Sequence, residues 1–195
     1  NTEIAFDLYR AIGEKRDNLI YSPYSISLAL AMTYAGAEGD TARQMADTLH
    51  FPADPQELHP AFNALDQQLQ SLGEDAPQDF GSPLQLNIAN ALWGQKNYEF
   101  LDSFLELLAA NYGAGLKSVD FMSNPEGSRQ TINQWVSDQT EGNIQDLIPG
   151  GGVTTETRLV LTNAIYFNAG WLKPFVKGET APGDFYTLDN GTVQV

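Results

Sequence analysis

Arg158–Trp171, RLVLTNAIYFNAGW, is an almost unbroken apolar run that carries one amide, Asn163, in its middle. The run is too apolar for a strand wet on one face, so it predicts a strand covered on both sides, in the middle of a large sheet. A buried amide without hydrogen bonds costs about 1–3 kcal/mol, so the surrounding fold has to bring bonding groups to Asn163. At this point a satisfied core asparagine is the favoured reading of Asn163, and a functional residue is the alternative.

The rest of the chain is built around that strand. Residues 2–12 repeat Ile4, Ala5, Leu8, Tyr9 and Ile12 at helical spacing and stop at Gly13. Leu19–Tyr21 reads as a short strand. Ser22-Pro23 is a helix start, with a capping hydroxyl and a proline at the first helical position; Ile26, Leu30 and Tyr34 carry that helix to about Ala35, buried nearly all round. Thr41 with Gln44 offers a capping box for a short helix with Met45 and Leu49 inside. Residues 55–71 make another helix on Leu58, Phe62, Leu65 and Leu69. Leu84–Trp93 reads as a buried strand interrupted by Asn87 and Asn90, Phe100–Tyr112 as a helix ended by Gly113 and Gly115, and Leu116–Phe121 as a strand. Asn124-Pro125 starts a helix with Ile132, Trp135 and Val136 on one stripe, expected to lie across the sheet face. Asp184–Leu188 and Thr192–Val195 flank Asp189-Asn190-Gly191, a hairpin-turn signal. The hairpin stops four residues into its return strand, and the chain reads as truncated.

Composition narrows the function classes. At 195 residues and 42% hydrophobic the chain supports one sizeable core, and no stretch has the composition of a linker. A net charge of −15 repels phosphate backbones and anionic surfaces, which argues against nucleic acid and membrane partners. There is no cysteine, hence no disulfide, thiolate metal site or cysteine nucleophile. No apolar run reaches the length of a membrane span, no signal-like N-terminus remains, and the expectation is of a secreted, extracellular protein.

Catalytic chemistry is thin. His50 and His59, nine residues apart, have no third ligand beside them and read as solvated rather than as a metal site, and no metal or other cofactor is expected. No nucleophile-elbow, phosphate-loop or dinucleotide glycine pattern occurs, and Gly150-Gly151-Gly152 precedes a strand, where no helix N-terminus is available to hold a phosphate. Ser22 with either histidine makes a poor nucleophile and base, because Ser22 already caps a helix. Asn190-Gly191-Thr192 is a formal glycosylation sequence as well as a turn.

Four motifs in order carry a resemblance. Asn18 with Tyr21-Ser22-Pro23-Tyr24-Ser25-Ile26-Ser27, then Ala29-Leu30-Ala31-Met32 and Gly36-Ala37-Glu38-Gly39-Asp40-Thr41, resembles the strand-to-helix signature that opens the serpin domain. Leu86-Asn87-Ile88-Ala89-Asn90-Ala91-Leu92-Trp93 is similar to that family's second strand of the main sheet. Ile132-Asn133-Gln134-Trp135-Val136 with Thr140 and Gly142 is similar to its sheet-crossing helix. Leu161-Thr162-Asn163-Ala164-Ile165-Tyr166-Phe167 with Trp171 and Pro174-Phe175 resembles its central strand. Asn168-Ala169 departs from the usual Lys-Gly, and Asn143 stands where a lysine commonly follows the helix glycine.

The resemblance implies an α+β fold, a multi-helix domain packed on a large central mixed/antiparallel β-sheet. Residues 1–195 would be the N-terminal part of a single such domain, its reactive loop and closing strands lying in the missing C-terminal half. It implies no enzyme but a suicide inhibitor of serine or, less often, cysteine proteases, in which a cleaved loop inserts into the main sheet. Ser22, Ser25 and Asn163 then fall at the shutter under the sheet centre, with Asn18, Leu30, Gly36 and Thr41 around it, and Trp171 falls at the breach where the loop first enters. The scissile bond is outside these residues. A non-inhibitory carrier, chaperone or storage protein on the same scaffold is the alternative, and the hinge that separates the two readings is also outside them. The helix at 55–71 holds no Lys or Arg, which argues against glycosaminoglycan activation.

Overall fold

The structure is a computed structural model that describes residues 1–13, 19–52, 54–72, 84–113, 115–187 and 191–195. Among the described residues six α-helices precede or alternate with the strands: α1 (Thr2–Ile12), α2 (Pro23–Tyr34), α3 (Gly39–Leu49), α4 (Pro55–Ser71), β1 (Gln85–Gln95), α5 (Asp102–Tyr112), β2 (Leu116–Val119), α6 (Pro125–Gln139), β3 (Leu159–Asn168), β4 (Asp184–Tyr186) and β5 (Thr192–Gln194). The helix starts at Ser22-Pro23 and Asn124-Pro125 form as expected. Ser22 accepts from the Ser25 amide and Asn124 from the Gly127 amide, which satisfies donors that the first turn leaves open. Gly113 closes α5 at φ 70°, a left-handed conformation that costs glycine little.

Two local expectations fail. Leu19–Tyr21 is not a strand, and Ile20 is almost fully exposed, because a strand needs a paired neighbour and none of the described strands lies beside it. The Thr41–Gln44 capping box does not form either. Helix α3 begins at Gly39 with Glu38 at its cap position, so Thr41 lies inside the first turn.

The main sheet has the order β2-β1-β3, with β1 and β2 parallel and β1 and β3 antiparallel. The register sets Ala89 opposite Ala164, Asn90 opposite Asn163, Ala91 opposite Thr162 and Leu92 opposite Leu161. Successive side chains alternate faces, so β1 and β3 each split into two sets. Ala89, Ala91, Trp93 and Ala164 pack on one face with Ile132, Trp135 and Val136 of α6, which does lie across the sheet. Ile88, Leu92 and Leu161 pack on the other face with Leu28, Met32, Leu108 and their neighbours from α2, α4 and α5. Helix α2 is buried along most of its length, as expected of an almost wholly apolar helix.

Gly94 shows how closely this layer is packed. A methyl group there would sit 2.5 Å from Leu116 Cδ2 and 2.8 Å from Phe100, so the strand uses glycine where β2 and the segment leading into α5 press against it. Strand β3 is buried only at its centre and on the face turned to α6, through Thr162 and Ala164; Leu161 and Asn163 on the opposite face are half-buried, and Leu159, Ile165 and Phe167 are exposed. It was expected in the middle of a large sheet, but among the described residues it is an edge strand, since β1 alone pairs with it. A separate hairpin, β4 with β5, is exposed along its length. The expected turn residues Asp189 and Asn190 lie outside the described residues.

Candidate functional site

The amide that stands out in the sequence is at the centre of a closed polar seam. Asn163 on β3 donates through Nδ2 to Ser25 Oγ at 2.6 Å and to Asn90 Oδ1 at 2.6 Å. Asn90 on β1, its register partner, donates to the Ser25 carbonyl at 3.0 Å. Ser25 is fully buried in the first turn of α2, and its backbone N–H donates to Ser22 Oγ at 3.2 Å. Four side chains from one helix and two strands are thus joined, and both hydrogens of the Asn163 amide are used. Each such bond contributes about 0.5–1.5 kcal/mol, and breaking one leaves its partner unpaired in a half-buried setting. Amides and hydroxyls of this kind do not titrate near neutral pH. The seam therefore moves no proton, and what it can do is hold α2 against the β1–β3 pair or let it go.

The other residues assigned by resemblance are spread more widely. Leu30 and Thr41 line an open groove between α2 and α3 with Gln44, Met45, Thr48 and Leu49. Gly36, just beyond α2, is close to Phe104 of α5, whose ring would lie 3.2 Å from an added methyl group. Trp171 is exposed and stacks edge-on against Phe175 at 5.6 Å. Asn18 lies outside the described residues. In the sequence Asn90 is only an interruption in an apolar strand, and the structure adds it to the seam.

Across the sheet from the seam, Trp93 Nε1 donates to Thr162 Oγ1 at 3.1 Å and Thr162 donates to the Ala91 carbonyl, binding β1 to β3 a second time. Asn87 faces the same side and donates to the Gln139 carbonyl at the end of α6.

Of the two histidines expected to be solvated, His50 is exposed and His59 is not. His50 bridges Glu3 and Asp7 of α1 at 3.2 and 2.8 Å, and its hydrogen bond holds the Asp7 carboxyl below its usual range. His59 is buried, with Nδ1 2.6 Å from the Tyr112 hydroxyl, because position 59 falls on the same inward stripe of α4 as Phe62. Among the described residues no group of three or more His, Cys, Asp or Glu is arranged to hold a metal ion, and no helix is long and apolar enough to cross a membrane.

Comparison with known proteins supplies the family. The model described as "Serpin (serine protease inhibitor)" matches residues 1–195. The chain belongs to the serpin family. It is 42% identical to the leukocyte elastase inhibitor of Homo sapiens, over all of this chain and 50% of that protein. Among solved structures, the serpin resembles the native stressed conformation of Arabidopsis AtSerpin1, with a TM-score of 0.82 at 28% identity, over 99% of this chain and 48% of that one. It also resembles emu ovalbumin, with a TM-score of 0.84 at 29% identity, over all of this chain and 52% of that one. The chain spans about half the length of the curated relatives it matches, and the α+β serpin fold is seen to that extent. One expectation is corrected by these relatives. They are leukocyte elastase inhibitors, an intracellular group, so the family likeness gives no support to a secreted location.

Proposed function

We propose that this chain is the N-terminal part of a single serpin domain whose full-length protein inhibits a serine protease by suicide cleavage. An exposed loop outside these residues is cut, the protease is held as its acyl-enzyme, and the loop enters the main sheet as a new strand. The protein is then a trap and not a catalyst. The observation that carries this reading is the 42% identity, over the whole chain, to a protein named as an elastase inhibitor. In this reading Ser22, Ser25, Asn90 and Asn163 form a clasp whose hydrogen bonds are broken and remade as the sheet parts, and Trp171 lies where the loop first enters. A clasp of small polar groups suits that task, since its bonds re-form in a new register more readily than interlocked aliphatic side chains do.

The test is to incubate the full-length protein with elastase-like, trypsin-like and subtilisin-like serine proteases and resolve the products in denaturant. The expected result is a protease conjugate that survives denaturation. Cleavage of the loop with no conjugate by any of them overturns the inhibitory reading in favour of a non-inhibitory carrier, chaperone or storage role.

A further inference from the structure

Helix α4 is held down by a buried histidine that nothing in the seam requires. His59 is only 3% exposed. Its Nδ1 lies 2.6 Å from the hydroxyl of Tyr112 at the end of α5, and the two rings meet edge-on at 5.8 Å. Tyr34 of α2 flanks the imidazole at 6.2 Å, and Phe62, one turn along α4, packs on Tyr24 of α2 and on Phe51. The titratable groups around this contact are Tyr24 and Tyr34 from α2, Tyr112 from α5, and Glu57 and Asp66 on α4 itself. Burial pushes the Tyr24 and Tyr112 hydroxyls up, so neither offers a negative charge. Glu57 is exposed, and the Asp66 carboxyl is raised by burial and engaged by Gln70. Among the described residues His59 has no carboxylate within ion-pairing distance. The neutral ring is therefore the favoured docked form, since the site is dry and no carboxylate compensates a positive charge.

We propose that His59 is a proton-operated latch: neutral, it keeps α4 seated on α2 and α5, and on protonation it leaves, uncovering the apolar face of α2 beneath Leu58 and Phe62. Burial lowers the affinity of the docked imidazole for a proton, whereas the released ring takes one up at the ordinary value of about 6.5. The released state thus binds more protons. Docking is fully present above about pH 6.5 and weakens as pH falls below it, by up to roughly tenfold in the opening equilibrium per pH unit, the slope of one proton taken up. Tyr24 and Leu28 stand on the same turns of α2 as Ser22 and Ser25, so acid reaches the helix that carries the polar seam. The latch involves no protease, and it stands or falls separately from the inhibitory reading.

Hydrogen exchange on the full-length protein at pH 7.5 and pH 5.0, corrected for intrinsic rates, is the test. The expected result is about a tenfold or greater loss of protection in residues 55–71 and at the end of 102–112, with 125–139 unchanged. In His59→Gln, which cannot take up the proton, the acid step should vanish. Equal protection at the two pH values, or the same step in the variant, overturns the latch. Should His59→Gln fail to fold, the ring resonances of His59 and His50 in the unmodified protein are followed against pH. A midpoint for His59 well below that of a free histidine supports the latch, and one at or above about 6.5 overturns it.

Discussion

Asn163 makes its interest plain in the sequence because it is an amide within an otherwise apolar stretch; Asn90 does not, and the pleat explains the difference. Asn87 and Asn90 both interrupt β1, three residues apart, so they point to opposite faces. One reaches α6 and the other meets Asn163 and Ser25. Only the register between two strands far apart in sequence decides which is which, and neither periodicity nor composition contains it. If the seam is a unit, its members should be coupled. Asn163→Ala in the full-length protein is expected to lower stability by about 1–3 kcal/mol, and Asn90→Ala by a similar amount. The double substitution should cost less than the two together, by about 0.5 kcal/mol or more, since each single change already leaves the other side chain short of a partner. Denaturant midpoints of the four proteins measure this, and strict additivity would show that the two amides act separately.

At the level of elements, the sequence reading succeeds where a signal is local and fails where it depends on a neighbour. The starts of α2 and α6 are written in Ser22-Pro23 and Asn124-Pro125, and both caps form. Leu19–Tyr21 has strand-like residues but no described strand to pair with, and local preference does not make a strand alone. His59 has the polarity of a solvated residue, but its place on the inward stripe of α4, one turn before Phe62, buries it. Ser22 shows how one residue can serve two levels at once. Its hydroxyl caps α2 through the Ser25 amide while the Ser25 hydroxyl receives Asn163. Ser22→Ala is therefore expected to cost about 0.5–2 kcal/mol as a lost cap, while Ser22→Asn, which can cap as well, should recover most of it if the site tolerates the larger side chain. Thermal melts of the two variants distinguish capping from simple packing, because only the capping role is restored by a second capping residue.

For the molecule as a whole, the feature of most consequence is the outer edge of β3. It carries Asn163, and among the described residues nothing pairs with it. A strand with one free row of backbone groups is a template for another strand, and such edges are normally paired or covered. In the proposed mechanism the sheet that contains β3 accepts one further strand after the loop is cut. An inserted strand of some ten residues adds roughly ten backbone hydrogen bonds at about 0.5–1.5 kcal/mol each, together with the apolar side chains it buries. A gain on the order of 10 kcal/mol raises the melting temperature of a domain about twice the length of this chain by roughly 10 °C. Full-length protein cut within its exposed loop should accordingly melt well above the uncut form, and calorimetry on the two is the measurement. The size of the difference separates mechanisms that a protease assay alone leaves mixed. A loop that is merely severed gains flexibility and leaves the melting point unchanged or lower, whereas a loop that has entered the sheet cannot do so without raising it. Equal melting temperatures would mean that no stored free energy is released on cleavage, and that the polar seam under β3 is a satisfied piece of core and nothing more.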